Sequence, residues 1–241
     1  MVKLTPDLIQ QSMQYTNPVR DRELDLRGYK IPVIENMGAT LDQFDTVDFS
    51  DNDIRKLDGF PLLKRLKTLL LNNNRIVRIA EGLDSSLPNL ETLVLTGNLI
   101  QELADLDPLA SIKSLRTLSL LHNPVTTRQH YRLYVAFKLP QLRLLDFRKI
   151  KVKEREDASA LFKSKKGKEL QKEIAKKAKT FVPGAGLPDT SKPSGPSQEE
   201  LWKIREAINK ASSLEEVERL NRLLQSGQIP GRGKLSSKGE C

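Results

Sequence analysis

Between residues 44 and 125 the chain repeats one pattern four times, L-x-x-L-x-L-x-x-N-x-I with close replacements. The matches are Phe44, Val47, Phe49, Asn52 and Ile54; Leu66, Leu69, Leu71, Asn74 and Ile76; Leu90, Leu93, Leu95, Asn98 and Ile100; and Leu115, Leu118, Leu120, Asn123 and Val125. The asparagines fall about 22 to 25 residues apart. A unit this short cannot bury its own apolar side, so the units must stack, each against its neighbours only. That single fact excludes most folds open to a chain of 241 residues.

The period and the L-x-L core identify leucine-rich repeats. The expected class is α/β: a right-handed leucine-rich-repeat solenoid with a parallel concave sheet, helical N-terminal and C-terminal caps, and a helical or disordered C-terminal tail. In each unit L-x-L is a short strand with alternate side chains turned into the core. The asparagine turns inward, where its amide satisfies backbone groups that would otherwise be buried unpaired. Leu57, Ile79, Leu103 and Leu106 are expected to fill the convex side. These Leu, Ile and Asn positions have structural roles.

An open stack needs caps. Upstream, Leu24, Leu26, Ile31 and Ile34 keep the pattern while Tyr29 stands at the asparagine position, and Thr5, Pro6 and Asp7 suit a helix start able to bury Leu8, Ile9 and Met13. Downstream, Leu142, Leu145 and Phe147 repeat the strand signature without an asparagine, after the aromatic stretch at 130–140. The organisation expected is an N-terminal cap at 1–19, repeats at 20–125, a C-terminal cap at 126–150, a basic helix at 151–180, a Pro/Gly/Ser-rich linker at 181–197, and an amphipathic helical segment with tail at 198–241.

Charge supports this division. The net charge is +9, yet residues 1–147 are balanced, with about 18 groups of each sign, and 148–180 carry about 13 positive against about 5 negative. A concentrated positive block suits contact with phosphates or acidic protein. The one cysteine, Cys241, excludes an intrachain disulfide and any zinc site of several cysteines. No run of about 18 apolar residues signals a membrane span, and the N-terminus lacks a signal-peptide pattern. Catalytic readings are thin. Of the two histidines, His122 precedes a repeat asparagine and His130 belongs to the cap, and no P-loop, GxSxG or HExxH pattern occurs. No enzyme, cofactor, metal site or small-molecule substrate is expected.

Residues between the core leucines should point out of the concave sheet in rows. The first row is Glu23, Thr46, Thr68, Thr92, Thr117 and Leu144; the second Asp25, Asp48, Leu70, Val94, Ser119 and Asp146; the third Arg27, Ser50, Asn72, Thr96, Leu121 and Arg148. The centre is small and apolar around Leu70, Val94 and Leu121. The N-terminal edge is acidic, with Glu23, Asp25, Asp48 and Asp51. Such a face suits a partner helix with an apolar stripe and basic flanks.

The stretch TNPVRDRELDLRGYKIPVIENMGATLDQFDTVDFSDNDIRKLDGFPLLKRLKTLLLNNNRI at 16–76 resembles the spliceosomal U2 small nuclear ribonucleoprotein A-prime family. HYRLYVAFKLPQLRLLDFRKIK at 130–151, KTFVPGAGLP at 179–188 and LLQSGQIPG at 223–231 extend the resemblance over almost the whole chain. It implies a nuclear scaffold in pre-mRNA splicing whose concave rows grip a helix of the RNA-recognition-motif protein B-double-prime. The two together would hold a U2 small nuclear RNA stem-loop beside other spliceosomal proteins. It also makes Arg148, Lys149, Lys151 and Lys153 candidates for RNA phosphate contact. Base specificity would come from the partner. The alternative is a regulatory leucine-rich-repeat subunit of a phosphatase or cytoskeletal complex, which would need no basic block after the cap.

Overall fold

A computed structural model describes residues 2–180; the expected linker, amphipathic segment and tail at 181–241 lie outside the described residues. The N-terminus opens with helix α1, Pro6–Gln11. Thr5 caps it by accepting from Leu8 N–H at 3.2 Å, and Pro6 occupies a first-turn position where its missing N–H costs nothing. Ile9 is buried as expected. Met13 is not: it is 69% exposed, and Leu4 fills the cap instead. The helix stops at Gln11, and an extended Ser12 feeds strand β1, Gln14–Thr16. That strand pairs antiparallel with β2, Arg22–Asp25, an element the repeat pattern does not contain. Met13 then contributes its backbone carbonyl to Asp25 N–H while its side chain faces out.

From β2 the repeats stack in parallel. The strands are β3 Thr46–Asp48, β5 Thr68–Leu70, β7 Thr92–Val94, β8 Thr117–Ser119 and β9 Leu144–Leu145. Two short strands on the returning segments, β4 Lys56–Leu57 and β6 Arg78–Ile79, form a separate parallel pair. Helix α2, Leu83–Ser86, and 3-10 segments at Leu103–Ser111 and Pro124–Thr127 complete the returning side. Leu57, Ile79, Leu103 and Leu106 are buried there.

The asparagine column behaves as its chemistry demands. Asn98 accepts from Ile76 N–H at 3.0 Å and donates to the Leu71 and Leu95 carbonyls at 2.8 and 3.0 Å. Asn52, Asn74 and Asn123 take in the N–H groups of Ile31, Ile54 and Ile100. Each side chain therefore ties two adjacent repeats through groups that have no water to turn to.

The stack ends by a device that the repeat does not encode. At the inner steps Leu26, Phe49, Leu71 and Leu95 N–H each donate to a carbonyl of the next strand, at 2.8 Å. At the last step Leu120 N–H donates to the Asp146 carboxylate instead, also at 2.8 Å. Tyr131, on helix α3 (Tyr131–Lys138), donates its hydroxyl to the same carboxylate at 2.9 Å. Burial, then the charge of Asp146, pushes the Tyr131 phenol well above its ordinary range. With the ladder closed by a side chain, the backbone is free to reverse. Asp146 and Phe147 have φ of 52° and 59°, and β10, Arg148–Lys149, returns antiparallel against β9. Phe147 was expected to continue the core; it sits at the hairpin turn, 68% exposed.

The basic segment was expected as one helix. It is two, α4 Val152–Lys163 and α5 Lys165–Thr180, broken at Ser164. Phe162 is fully buried, edge-on to Tyr134 and stacked on Phe137, with ring centroids 5.6 and 5.2 Å away. Burying that ring is worth roughly 2–3 kcal/mol. Ser164 caps α5 by accepting from Gly167 N–H at 3.0 Å. At Gly167 a Cβ would lie 2.0 Å from the Leu161 carbonyl oxygen, so only glycine lets α5 cross the end of α4. Helix α5 then packs Leu170 and Ile174 into the core beside the Leu103–Ser111 segment.

Candidate functional site

The register of the parallel strands sets the geometry of the face. Glu23, Thr46, Thr68, Thr92, Thr117 and Leu144 lie side by side across successive strands. Asp25, Asp48, Leu70, Val94 and Ser119 form the next row. One step further, the carbonyls of Ser50, Asn72, Thr96 and Leu121 accept from the N–H groups of Gly28, Asp51, Asn73 and Gly97, which aligns Ser50, Asn72, Thr96 and Leu121 as a third row with Arg27 at its start. Two residues assigned to these rows stand elsewhere. Asp146 turns inward to terminate the sheet, and Arg148 lies on the reversed strand β10 opposite Leu145. Both follow from the reversal at the hairpin.

The middle of the face is open. Thr68, Leu70, Thr92, Val94, Thr117 and Leu121 are partly accessible, and their short side chains allow close approach of a partner. Lateral hydrogen bonds hold the polar members in place. Asn72 donates to the Ser50 hydroxyl at 3.1 Å, and the hydroxyls of Thr96 and Ser119 lie 3.0 Å apart.

The acidic edge is less free than its composition suggests. Glu23 is buried, accepting from the Tyr15 hydroxyl at 2.9 Å and from Asn17 Nδ2 at 3.0 Å. It fastens β1 to β2, and its hydrogen bond raises the Tyr15 phenol above the ordinary range. Arg27 forks onto Asp25, with Nε and a terminal nitrogen at 3.0 and 2.6 Å, and its Nε lies 3.7 Å from Asp48. Those bonds from Arg27 hold Asp25 below the usual carboxylate range. Burial pushes Asp48 the other way, against hydrogen bonds from Ser50. Asp51 accepts from Asn73 at 2.9 Å. At this edge Asp25 and Asp48 share the Arg27 guanidinium, while Glu23 and Asp51 are held by donors of their own.

Arg148, Lys149, Lys151 and Lys153 follow one another closely where β10 leads into α4, at the other end of the sheet. The first two form β10, Lys151 precedes α4 as its cap, and Lys153 lies in its first turn; all are exposed. None of the four takes part in an ion pair among the described residues. The lysines of α5 run elsewhere, with Lys165, Lys166, Lys168, Lys172 and Lys176 exposed on a helix packed against the returning side. The basic block, contiguous in sequence, is split in space. Arg132 supports the first part: its guanidinium donates to the Leu145 carbonyl at 3.0 Å and pairs with Glu154.

The leucine-rich-repeat family model matches residues 1–175. A U2 small nuclear ribonucleoprotein A' from Mus musculus is 66% identical over 240 residues, spanning 100% of this chain and 94% of its own length. The chain belongs to the U2 small nuclear ribonucleoprotein A' family. The Homo sapiens U2 small nuclear ribonucleoprotein A' is 67% identical over 236 residues, covering 98% of this chain and 92% of its own, and the probable Drosophila melanogaster counterpart is 58% identical over 240 residues, covering 96% and 91%. A solved structure, the Drosophila melanogaster SNF/U2A' complex, aligns at a TM-score of 0.70 with 68% identity, over 72% of this chain and 100% of that one. As a member of that family the chain is a leucine-rich-repeat component of the U2 small nuclear ribonucleoprotein.

Three participants escaped sequence reasoning: Asp146 as sheet terminator, Tyr131 as its partner, and Arg132 as the brace under β10. A signal for the first was present. It was Ile150, which stands where the asparagine was due and marks the end of the repeat.

Proposed function

We propose that this protein holds the RNA-recognition-motif protein B-double-prime by laying a helix of that partner along the concave face, and that the pair grips a U2 small nuclear RNA stem-loop in the nucleus during pre-mRNA splicing. The observation that carries this reading is the accessible apolar patch made by Leu70 and Val94, side by side in one row, and Leu121 in the next, lying beside a threonine row and ending at a carboxylate-rich edge. An apolar helix stripe fits the strip, and basic flanks on that helix meet Asp25, Asp48 and Asp51. A relative solved in the SNF/U2A' complex adds support for a protein partner. Arg148, Lys149, Lys151 and Lys153 are the proposed phosphate contacts, adding affinity without reading bases. Glu23 takes part through the edge it orders, since its carboxylate is already engaged.

Replacing Leu70 and Val94 by Glu tests the reading. Both are partly accessible positions outside the core, so circular dichroism should show the variant folded. Isothermal titration with the B-double-prime recognition motif should show affinity reduced on the order of 100-fold, as for central interface residues. Unchanged affinity in the folded double variant overturns the concave-face assignment.

A further inference from the structure

The hairpin between β9 and β10 turns on two residues that both have positive φ, Asp146 at 52° and Phe147 at 59°. Turns of this kind favour Asn-Gly or Asp-Gly, because a side chain at positive φ crowds its own backbone. Asp146 earns its place through the bonds from Leu120 N–H and the Tyr131 hydroxyl. Phe147 does not contribute to the fold in any comparable way. It lies outside the hydrophobic core and is 68% exposed, so a bulky ring occupies the position that suits glycine best and faces solvent. A strained residue with no structural return points to a contact made outside the molecule.

Its surroundings say what kind. Arg148 and Lys149 follow it on β10, and Lys151 and Lys153 begin α4, all exposed. The two carboxylates nearest in sequence are occupied, Asp146 as above and Glu154 by Arg132 and by Lys151 N–H. The turn therefore offers one exposed aromatic ring, followed closely along the chain by four exposed cations. A basic-flanked partner helix would be repelled here. Nucleic acid is complementary: cations follow the phosphates while a ring takes the face of an unstacked base. We infer that Phe147 is a stacking platform for an unpaired nucleobase of the RNA whose backbone the four cations contact. The inference rests on the proposed placement of RNA at this end of the sheet.

The test uses the full chain with the B-double-prime recognition motif and a U2 stem-loop RNA carrying its unpaired loop, with affinity measured by fluorescence anisotropy over a series of salt concentrations. Phe147→Gly suits the backbone, so its folding is secure. RNA affinity should fall on the order of tenfold for Phe147→Gly and Phe147→Leu, be retained in Phe147→Trp, and keep its salt slope throughout. Wild-type affinity in Phe147→Gly, or in Phe147→Leu, overturns stacking. So does loss of affinity for the recognition motif without RNA, which would assign the ring to the protein partner. Lys151→Ala separates the two levels: if it lowers the salt slope while Phe147 variants bind normally, the RNA placement stands and the platform alone falls. If neither residue affects RNA binding, both fall.

Discussion

Replacing Asn98 probes the bond network that joins the repeats. The residue is 2% exposed, and it satisfies one N–H, of Ile76, and the carbonyls of Leu71 and Leu95 in the repeats on either side of its turn. In Asn98→Ala the Ile76 N–H is left buried without an acceptor, at a cost of about 1–3 kcal/mol, and the lost amide donations add about 1 kcal/mol each. The sum is about 3–5 kcal/mol, a large share of the 5–15 kcal/mol typical of a domain. With a urea slope of roughly 2 kcal/mol per molar, the midpoint should fall by about 1.5–2.5 M, whereas Asn89→Ala, at an exposed residue with one bond to the Lys64 carbonyl, should shift it by less than about 0.5 M. Asn98→Asp sharpens the test. It keeps the acceptor for Ile76 but turns an oxygen toward two carbonyls, so the folded state favours the protonated acid and its pKa rises above the unfolded value of about 4. The group then contributes most below pH ~4, and that contribution is lost as pH rises through the raised folded value. Between pH 5 and 8 the midpoint of Asn98→Asp should decline relative to that of Asn98→Ala. A shift under about 0.5 M for Asn98→Ala, or an Asn98→Asp midpoint that holds constant or rises against it, refutes the reasoning.

Two further outcomes are expected. Asp45, nine-tenths buried, is held down to about 2, first by Arg65 and then by the Arg22 N–H and Lys67, against the opposing effect of burial. A depressed carboxylate contributes stability above its unfolded pKa and loses it as pH falls through the folded one, so Asp45→Asn should cost on the order of 1–2 kcal/mol at pH 7 and almost nothing near pH 2 in chemical denaturation. Changing Lys151 and Lys153 together to Ala should reduce the slope of log affinity against log salt for the ternary complex by roughly 1–2 while leaving base preference unchanged; an equal slope removes both from the interface.

The concave rows were legible because strand side chains alternate with a period of two. Once Leu69, Leu71, Leu93 and Leu95 are assigned to the core, Leu70 and Val94 must face out, and neighbouring repeats must share that register. The asparagine column was legible for a related reason, since each repeat buries the same polar amide at the same step. Failures cluster where the repeat stops. Phe147 was given a core position by extending the repeat beyond its last complete unit, and Met13 by carrying the helix that starts after Thr5 past its end at Gln11.

The sequence by itself determined the solenoid, the register of its face and the concentration of positive charge after residue 147, because each is carried by local spacing or composition. Tertiary structure decided where that charge is placed. Asp146 substitutes a carboxylate for a strand carbonyl, the chain reverses there, and Phe162 pins α4 against α3. Four cations consequently remain by the sheet while the lysines of α5 are carried to the returning side. The acidic edge was likewise altered by Tyr15, Asn17 and Arg27, which occupy carboxylates that composition alone counts as free. In each case the deciding contact is a specific donor meeting a specific acceptor, and no hydrophobic period encodes such a pairing.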